Sequence, residues 1–145
     1  MIEFTIPGNP QAQGRPRATT RGRGKNKKIM MYDPKDSRDY KQYVALIAQQ
    51  YAPKTLYTEQ LRVDLKIYRE IPKSTTKKDR ALYLAGLKRP ITKPDTDNYT
   101  KAILDSLNGI IWKDDSQIVD LHAGKYYSDN PRVEITVSEI YSEIS

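Results

Sequence analysis

Residues 61–68, LRVDLKIY, constrain the fold more than any other stretch of this chain. Leu61, Val63, Leu65 and Ile67 alternate with Arg62, Asp64, Lys66 and Tyr68. Successive side chains of a strand point to opposite faces, so this pattern makes a strand with one apolar and one polar face. Such a half-buried strand belongs to an antiparallel or mixed sheet. The segment IEFTI alternates in the same way until Pro7-Gly8 ends it, KIMMY is a brief second strand, and QIVDLHAGKYY and RVEITVSEIY are two more, joined by a turn at Ser128-Asp129-Asn130-Pro131.

Helices are expected between the strands. Asp33 serves as N-cap and Pro34 as first residue of one, with Tyr40, Tyr43, Val44, Ile47, Ala48 and Tyr51 following at helical spacing as an apolar stripe. STTKKDRALYLAG forms another, capped near Thr76 with Asp79 three residues on and Gly86 at its end. The order β-β-α-β-α-α-β-β, without repeats or a dividing linker, gives one α+β domain over residues 1–145, a mixed sheet with packed helices.

The chain carries a net charge of +7, and its distribution is uneven. Residues 1–30 hold Arg15, Arg17, Arg21, Arg23, Lys25, Lys27 and Lys28 against Glu3 alone, while the rest has 18 basic and 17 acidic residues. Within that block, residues 8–29 are rich in Gly, Pro and cations and lack a hydrophobic period, as in a loop or hairpin tip. It has the character of a phosphate-binding arm, to which Lys93 adds a further candidate DNA contact in the basic connection LKRPITKP. With no Cys and only His122, thiolate and poly-histidine metal sites are excluded. No apolar run approaches the ~20 residues of a membrane span, and the N-terminus lacks a signal-peptide core. A soluble cytoplasmic protein, with no membrane partner, is the expectation.

Against this basic background, six aspartates and no glutamate fall between Asp95 and Asp120. Pro94 favours an extended lead-in to Asp95, and Asp95 and Asp97 are expected to leave a strand end two residues apart; Asp97 is expected to cap a helix in which Asp97, Lys101 and Asp105 share one face. Tyr99, Ala102, Ile103 and Leu107 form the opposite, core-facing side, and Asn108-Gly109 ends the helix. Asp114 and Asp115 follow the buried run IIW, ahead of a strand starting at Gln117. Asp95, Asp97 and Asp115 can then meet at one end of the helix. Three such carboxylates repel unless a cation lies among them, and all-oxygen ligation selects Mg²⁺, with Mn²⁺ possible, over Zn²⁺. Lys101, one turn from Asp97, is placed to hold a phosphate. Carboxylate-bound Mg²⁺ in a basic protein points to phosphodiester chemistry. A nuclease acting on flaps or RNA, or a non-catalytic DNA-binding module whose aspartates are caps and turns, would share parts of this pattern.

The run KPDTDNYTKAILDSLNGIIWKDDSQIV resembles the RusA-type Holliday junction resolvases, and the likeness extends in order to IPGNPQAQGRPR, YDPKDSRDYKQYV and IPKSTTKKDRALYLAG. The resemblance implies a homodimeric, Mg²⁺-dependent endonuclease that binds four-way DNA junctions in recombination and repair. It would cut two strands of like polarity symmetrically, leaving 5′-phosphate and 3′-hydroxyl ends. Residue by residue, Asp95, Asp97 and Asp115 match the family's catalytic acids, Asp114 a neighbouring acid that joins the metal ligands, and Lys101 an essential lysine. Asn98 and Asp105 match motif positions of the site's architecture. The basic stretch TTRGRGKNKK is longer than in the family's shorter members. The resemblance also implies carriage by a phage or prophage, as is common for members of the family.

Overall fold

In a computed structural model, residues 1–14, 17–21, 28–32 and 35–141 are described. In chain order the elements are β1 (Ile2–Pro7), β2 (Arg17–Arg21), β3 (Lys28–Tyr32), α1 (Lys35–Gln49), β4 (Leu61–Glu70), α2 (Lys77–Leu84), α3 (Thr96–Leu107), β5 (Ile118–Ser128) and β6 (Arg132–Glu139). The expected cap at Asp33-Pro34 lies outside the described residues. The basic segment contains the two-stranded hairpin β2–β3, in which Arg21 pairs with Lys28 and Arg17 with Tyr32.

The alternation in residues 61–68 does what it requires. β4 is an interior strand of a four-stranded sheet ordered β1-β6-β4-β5, antiparallel to β6 and parallel to β5. Leu61, Val63, Leu65 and Ile67 are all buried on one face. On the other, Arg62 bridges Asp64 at 3.0 Å and Asp120 of β5 at 2.8 Å. The sheet is mixed because β4 and β5 are joined through α2 and α3, and a parallel pair needs such a crossover. The turn at residues 128–131 therefore does not make neighbours of β5 and β6. It carries the chain past the end of β4, where the Ile71 N–H donates to the Ser128 carbonyl at 3.2 Å, and β6 adds on the far side.

α1 and α3 pack on each other and on the apolar face of the sheet, with Val44, Ala48, Ile103 and Leu107 almost wholly buried. Trp112 is fully buried beneath them, its indole N–H donating to the Asn108 side-chain carbonyl at 2.6 Å. The expected tyrosine stripe of α1 is narrower than its spacing suggests. Tyr40 is buried, whereas Tyr43 and Tyr51 are partly exposed; Tyr43 donates to the Pro7 carbonyl and Tyr51 stacks on Phe4. α2 begins at the expected Thr76, whose hydroxyl accepts from the Asp79 N–H, and a left-handed Gly86 follows its end. It buries no residue of its own and is held to β5 by a Tyr83–Tyr127 ring contact and to the turn after β5 by an Arg80–Asp129 ion pair.

Candidate active site

The acidic segment is organised by the start of α3. Proline disfavours helical backbone in the residue before it, so the chain enters extended. Asp95 itself is extended (φ −72°, ψ 154°) and occupies the N-cap, and the helix begins at Thr96. The expected cap at Asp97 is thus corrected: Asp97 lies inside the first turn, and its carboxylate accepts the Asn98 N–H at 3.1 Å. The expected departure of both acids from a strand end is corrected too, since Asp97 is already helical. Asp95 makes no side-chain cap bond, so its carboxylate is not committed to the helix. Both acids stand at the end of α3 where the helix dipole favours negative charge. Tyr99, Ala102, Ile103 and Leu107 turn inward as their spacing predicts, which leaves Asp97 and Lys101 exposed.

Asp115 comes from a different element. Gly109, at φ 78°, reverses the chain after α3, and Asp115–Gln117 form a short 3-10 turn, so β5 starts at Ile118 rather than at Gln117. Asp114 caps this turn: its carboxylate accepts the Ser116 N–H at 3.0 Å, and the Gln117 side-chain carbonyl accepts the Asp114 N–H at 2.8 Å. The bonds from Ser116 hold the Asp114 carboxyl below its ordinary pKa. The Gln117 amide also donates to the Tyr57 and Glu59 carbonyls, fixing the turn on the preceding loop.

The two elements meet in a groove of about 570 Å³ lined by Thr96, Asp97, Thr100, Lys101, Leu104, Asp105, Asp115, Leu121 and Ala123. Asp97, Lys101 and Asp115 are thus brought to one cavity. Asp95 and Asp114 are not among its lining residues, and Asp114 is engaged in its own turn. Asp105 pairs with Lys41 of α1 at 3.5 Å instead of with Lys101, which forms no ion pair among the described residues. Among the described residues no group of three or more acidic or histidine side chains is close enough to hold a metal ion. Two carboxylates on one groove do fit Mg²⁺, which keeps several waters and is commonly held by one or two carboxylates together with substrate phosphates.

Of the expected DNA contacts, Arg15, Arg23, Lys25 and Lys27 lie outside the described residues. Arg17, Arg21 and Lys28 fall in β2 and β3, and Lys93 is exposed immediately before Pro94. The hairpin leaves from the acidic end of α3, because the Gln13 N–H donates to the Asn98 carbonyl at 3.0 Å and the Gly14 N–H to the Ser37 hydroxyl at 2.8 Å. Charge counting over the remainder of the chain missed a second basic block. Residues 71–93 hold Lys73, Lys77, Lys78, Arg80, Lys88, Arg89 and Lys93 against Asp79 alone. The acids that follow it cancel its charge in any longer sum, and a short sliding window exposes it.

A family model described as endodeoxyribonuclease RusA matches residues 7–138, which include the arm, both sides of the groove, β4, β5 and all but the last residue of β6, with only Pro7 of β1. The chain belongs to the RusA endodeoxyribonuclease family. Membership in this family also accounts for the mixed α+β domain. A similar chain, described as "Uncharacterized protein YqaN" of Bacillus subtilis (strain 168), is 50% identical over 141 residues, 96% of each chain. Among the described residues, no helix is long and apolar enough to cross a membrane.

Proposed function

We propose that this RusA-family endodeoxyribonuclease is a Mg²⁺-dependent resolvase of four-way DNA junctions that works as a homodimer. The observation that carries the chemistry is the groove in which Asp97 and Asp115 stand with Lys101. Asp97 and Asp115 would hold the ion, and Asp95, at the same end of α3, is the third acid available to it. When bound, Mg²⁺ supplies Lewis-acid polarisation of a phosphoryl oxygen and a water of lowered pKa. The Lys101 ammonium offers positive charge to the phosphate as negative charge builds on it. Leu104, Leu121 and Ala123 give the same groove an apolar wall.

DNA binding would rest on the cations around this groove. The arm begins at the Gln13–Asn98 bond, beside Asp97, and the second basic block runs through Lys93 into Asp95. A junction offers two equivalent scissile phosphates and each chain offers one such groove, so a twofold dimer matches the substrate. The deciding experiment incubates the protein with a synthetic four-way junction, a flap, a linear duplex, a single strand and RNA, with and without Mg²⁺. Paired nicks in the junction alone, only with the ion, are expected. Preferential cutting of flaps or RNA would replace the substrate, and binding without cutting would leave a DNA-binding module. The mass in solution at the same concentrations is expected to be twice the 16.7 kDa of one chain.

A further inference from the structure

Side chains two apart on a strand share a face, and on β5 this puts Leu121, Ala123 and Lys125 in one row. The first two line the groove. Lys125, paired across the sheet with the buried Ile67, stands at the end of the row and is half-buried. Among the described residues its ammonium meets no carboxylate. It donates to two backbone carbonyls, Thr92 at 3.2 Å and Pro94 at 3.1 Å. Arg69 of β4 donates to the Thr92 carbonyl as well, at 3.2 Å. Residues 88–94 are irregular and lack a strand or helix to satisfy their carbonyls, so side-chain donors do that work. An ammonium, with three donors, can serve two carbonyls at once through charge-assisted bonds.

The same strap is held from its other end. Arg89 donates to the Lys125 carbonyl at 2.7 Å and lies over the Tyr126 ring at 4.0 Å. Gly124 makes room for it, since a Cβ there would stand 2.6 Å from the Arg89 guanidinium. The carbonyl that Lys125 grips at Pro94 belongs to the peptide unit whose N–H is that of Asp95. We propose that Lys125 is a positioning residue for the acidic groove: by fixing the Pro94–Asp95 peptide unit it sets the start of α3 and the aim of Asp95 and Asp97. This inference rests on the nuclease reading for its effect on cutting, and on the backbone alone for its effect on the strap.

The test uses the full-length protein with Lys125→Met, which keeps the length and removes the donors, and Lys125→Arg, which restores two donors. In single-turnover assays on bound junction, Lys125→Met is expected to cut about 10–100-fold more slowly, the range for removing a group that orients a metal ligand. It is also expected to need more Mg²⁺ for half-maximal rate, with junction affinity unchanged, and Lys125→Arg to recover part of the rate. Hydrogen–deuterium exchange gives a readout independent of activity: the Asn98 and Tyr99 amides, both bonded to the Asp95 carbonyl, should exchange faster in Lys125→Met, while those of β4 stay protected. Wild-type cutting by Lys125→Met overturns the proposal, as does unchanged exchange at Asn98 and Tyr99. Weaker junction binding at an unaltered cutting rate overturns it by making Lys125 a DNA contact. If the wild type cuts no DNA, the nuclease reading falls, and the exchange comparison decides the role of Lys125 by itself.

Discussion

Asp97 and Asp114 are both short acids that accept a nearby backbone N–H, yet their surroundings give them different work. Asp97 also lines the groove, so Asp97→Asn separates the two roles. The amide oxygen can still accept from the Asn98 N–H, and folding should be unchanged. Junction binding should be kept or tightened, because a charge that repels phosphate is gone. Cutting should slow by about 10²–10³-fold, equivalent to a loss of roughly 3–4 kcal/mol of transition-state stabilisation. Gel shift beside cleavage in Mg²⁺ measures both, and a variant that cuts at the wild-type rate makes Asp97 a turn residue only. Asp114 instead caps the 3-10 turn, and its folded pKa lies below the ordinary 3.8 because the Ser116 bonds favour the charged form. A depressed folded pKa adds stability that is present above the unfolded value and lost as pH falls through the folded one. The melting-temperature gap between wild type and Asp114→Ala should therefore be full at neutral pH and close as pH drops below 3.8. Thermal melts across pH check this; a gap that persists in acid would show that the carboxylate charge is not what holds the turn.

Elements were legible where one physical cause dominates the local sequence. The alternation of Leu61, Val63, Leu65 and Ile67 fixes the faces of β4 whatever its neighbours, and Thr76 finds Asp79 three residues away. α3 shows where such reasoning ends: its inward face followed from spacing, but both Asp95 and Asp97 are chemically fit to cap it. Asp95 is the one that stays extended, at φ −72° and ψ 154°, so the cap lies two positions earlier. The neighbours of β5 were not legible, because the turn at 128–131 would suit a hairpin equally well. The crossover through α2 and α3 decides the pairing, and it is a property of the chain path. Gly109 lies in the connection 108–114 between α3 and the turn bearing Asp115, and its φ of 78° is the left-handed region. A Cβ there would touch nothing within 4 Å, so Gly109→Ala tests backbone conformation without steric overlap. It should lower unfolding free energy by about 1–2 kcal/mol, read from urea denaturation at unchanged slope. A neutral effect would mean that the reversal needs no left-handed residue.

Across the whole molecule, residue types announced the chemistry more plainly than they announced its location. Short acids, one lysine and a basic arm are visible in the sequence; that Asp97 and Asp115 share a groove while Asp114 is spent on its own turn depends on where two elements come to rest. Charge has the same character. The arm stood out because few acids lie near it, whereas the block at 71–93 vanished into the sum with the acids after it. Arg80 and Lys88 of that block pair with Asp129 and Asp79, but Lys73, Lys77 and Lys78 are not explained by the stability of α2. Lys77 and Lys78 occupy its first turn, where the helix dipole disfavours cations, and neither they nor Lys73 are buried. Replacing Lys73, Lys77 and Lys78 with Ala should therefore leave the fold intact. If these lysines meet phosphates, the slope of log affinity against log salt should become shallower by about 0.9 for each duplex phosphate that is no longer neutralised. The arm variant with Arg21, Arg23, Lys25, Lys27 and Lys28 replaced should lower the slope in its own right. The combined variant should lower it by the sum of the two decrements, because separate phosphates release separate counterions. Titrations of the uncut junction in Mg²⁺-free buffer over a range of salt give all three slopes without interference from cleavage. A slope unchanged by the arm variant would leave the hairpin a solvated loop, and one unchanged by the α2 variant would confine phosphate binding to the arm and the groove.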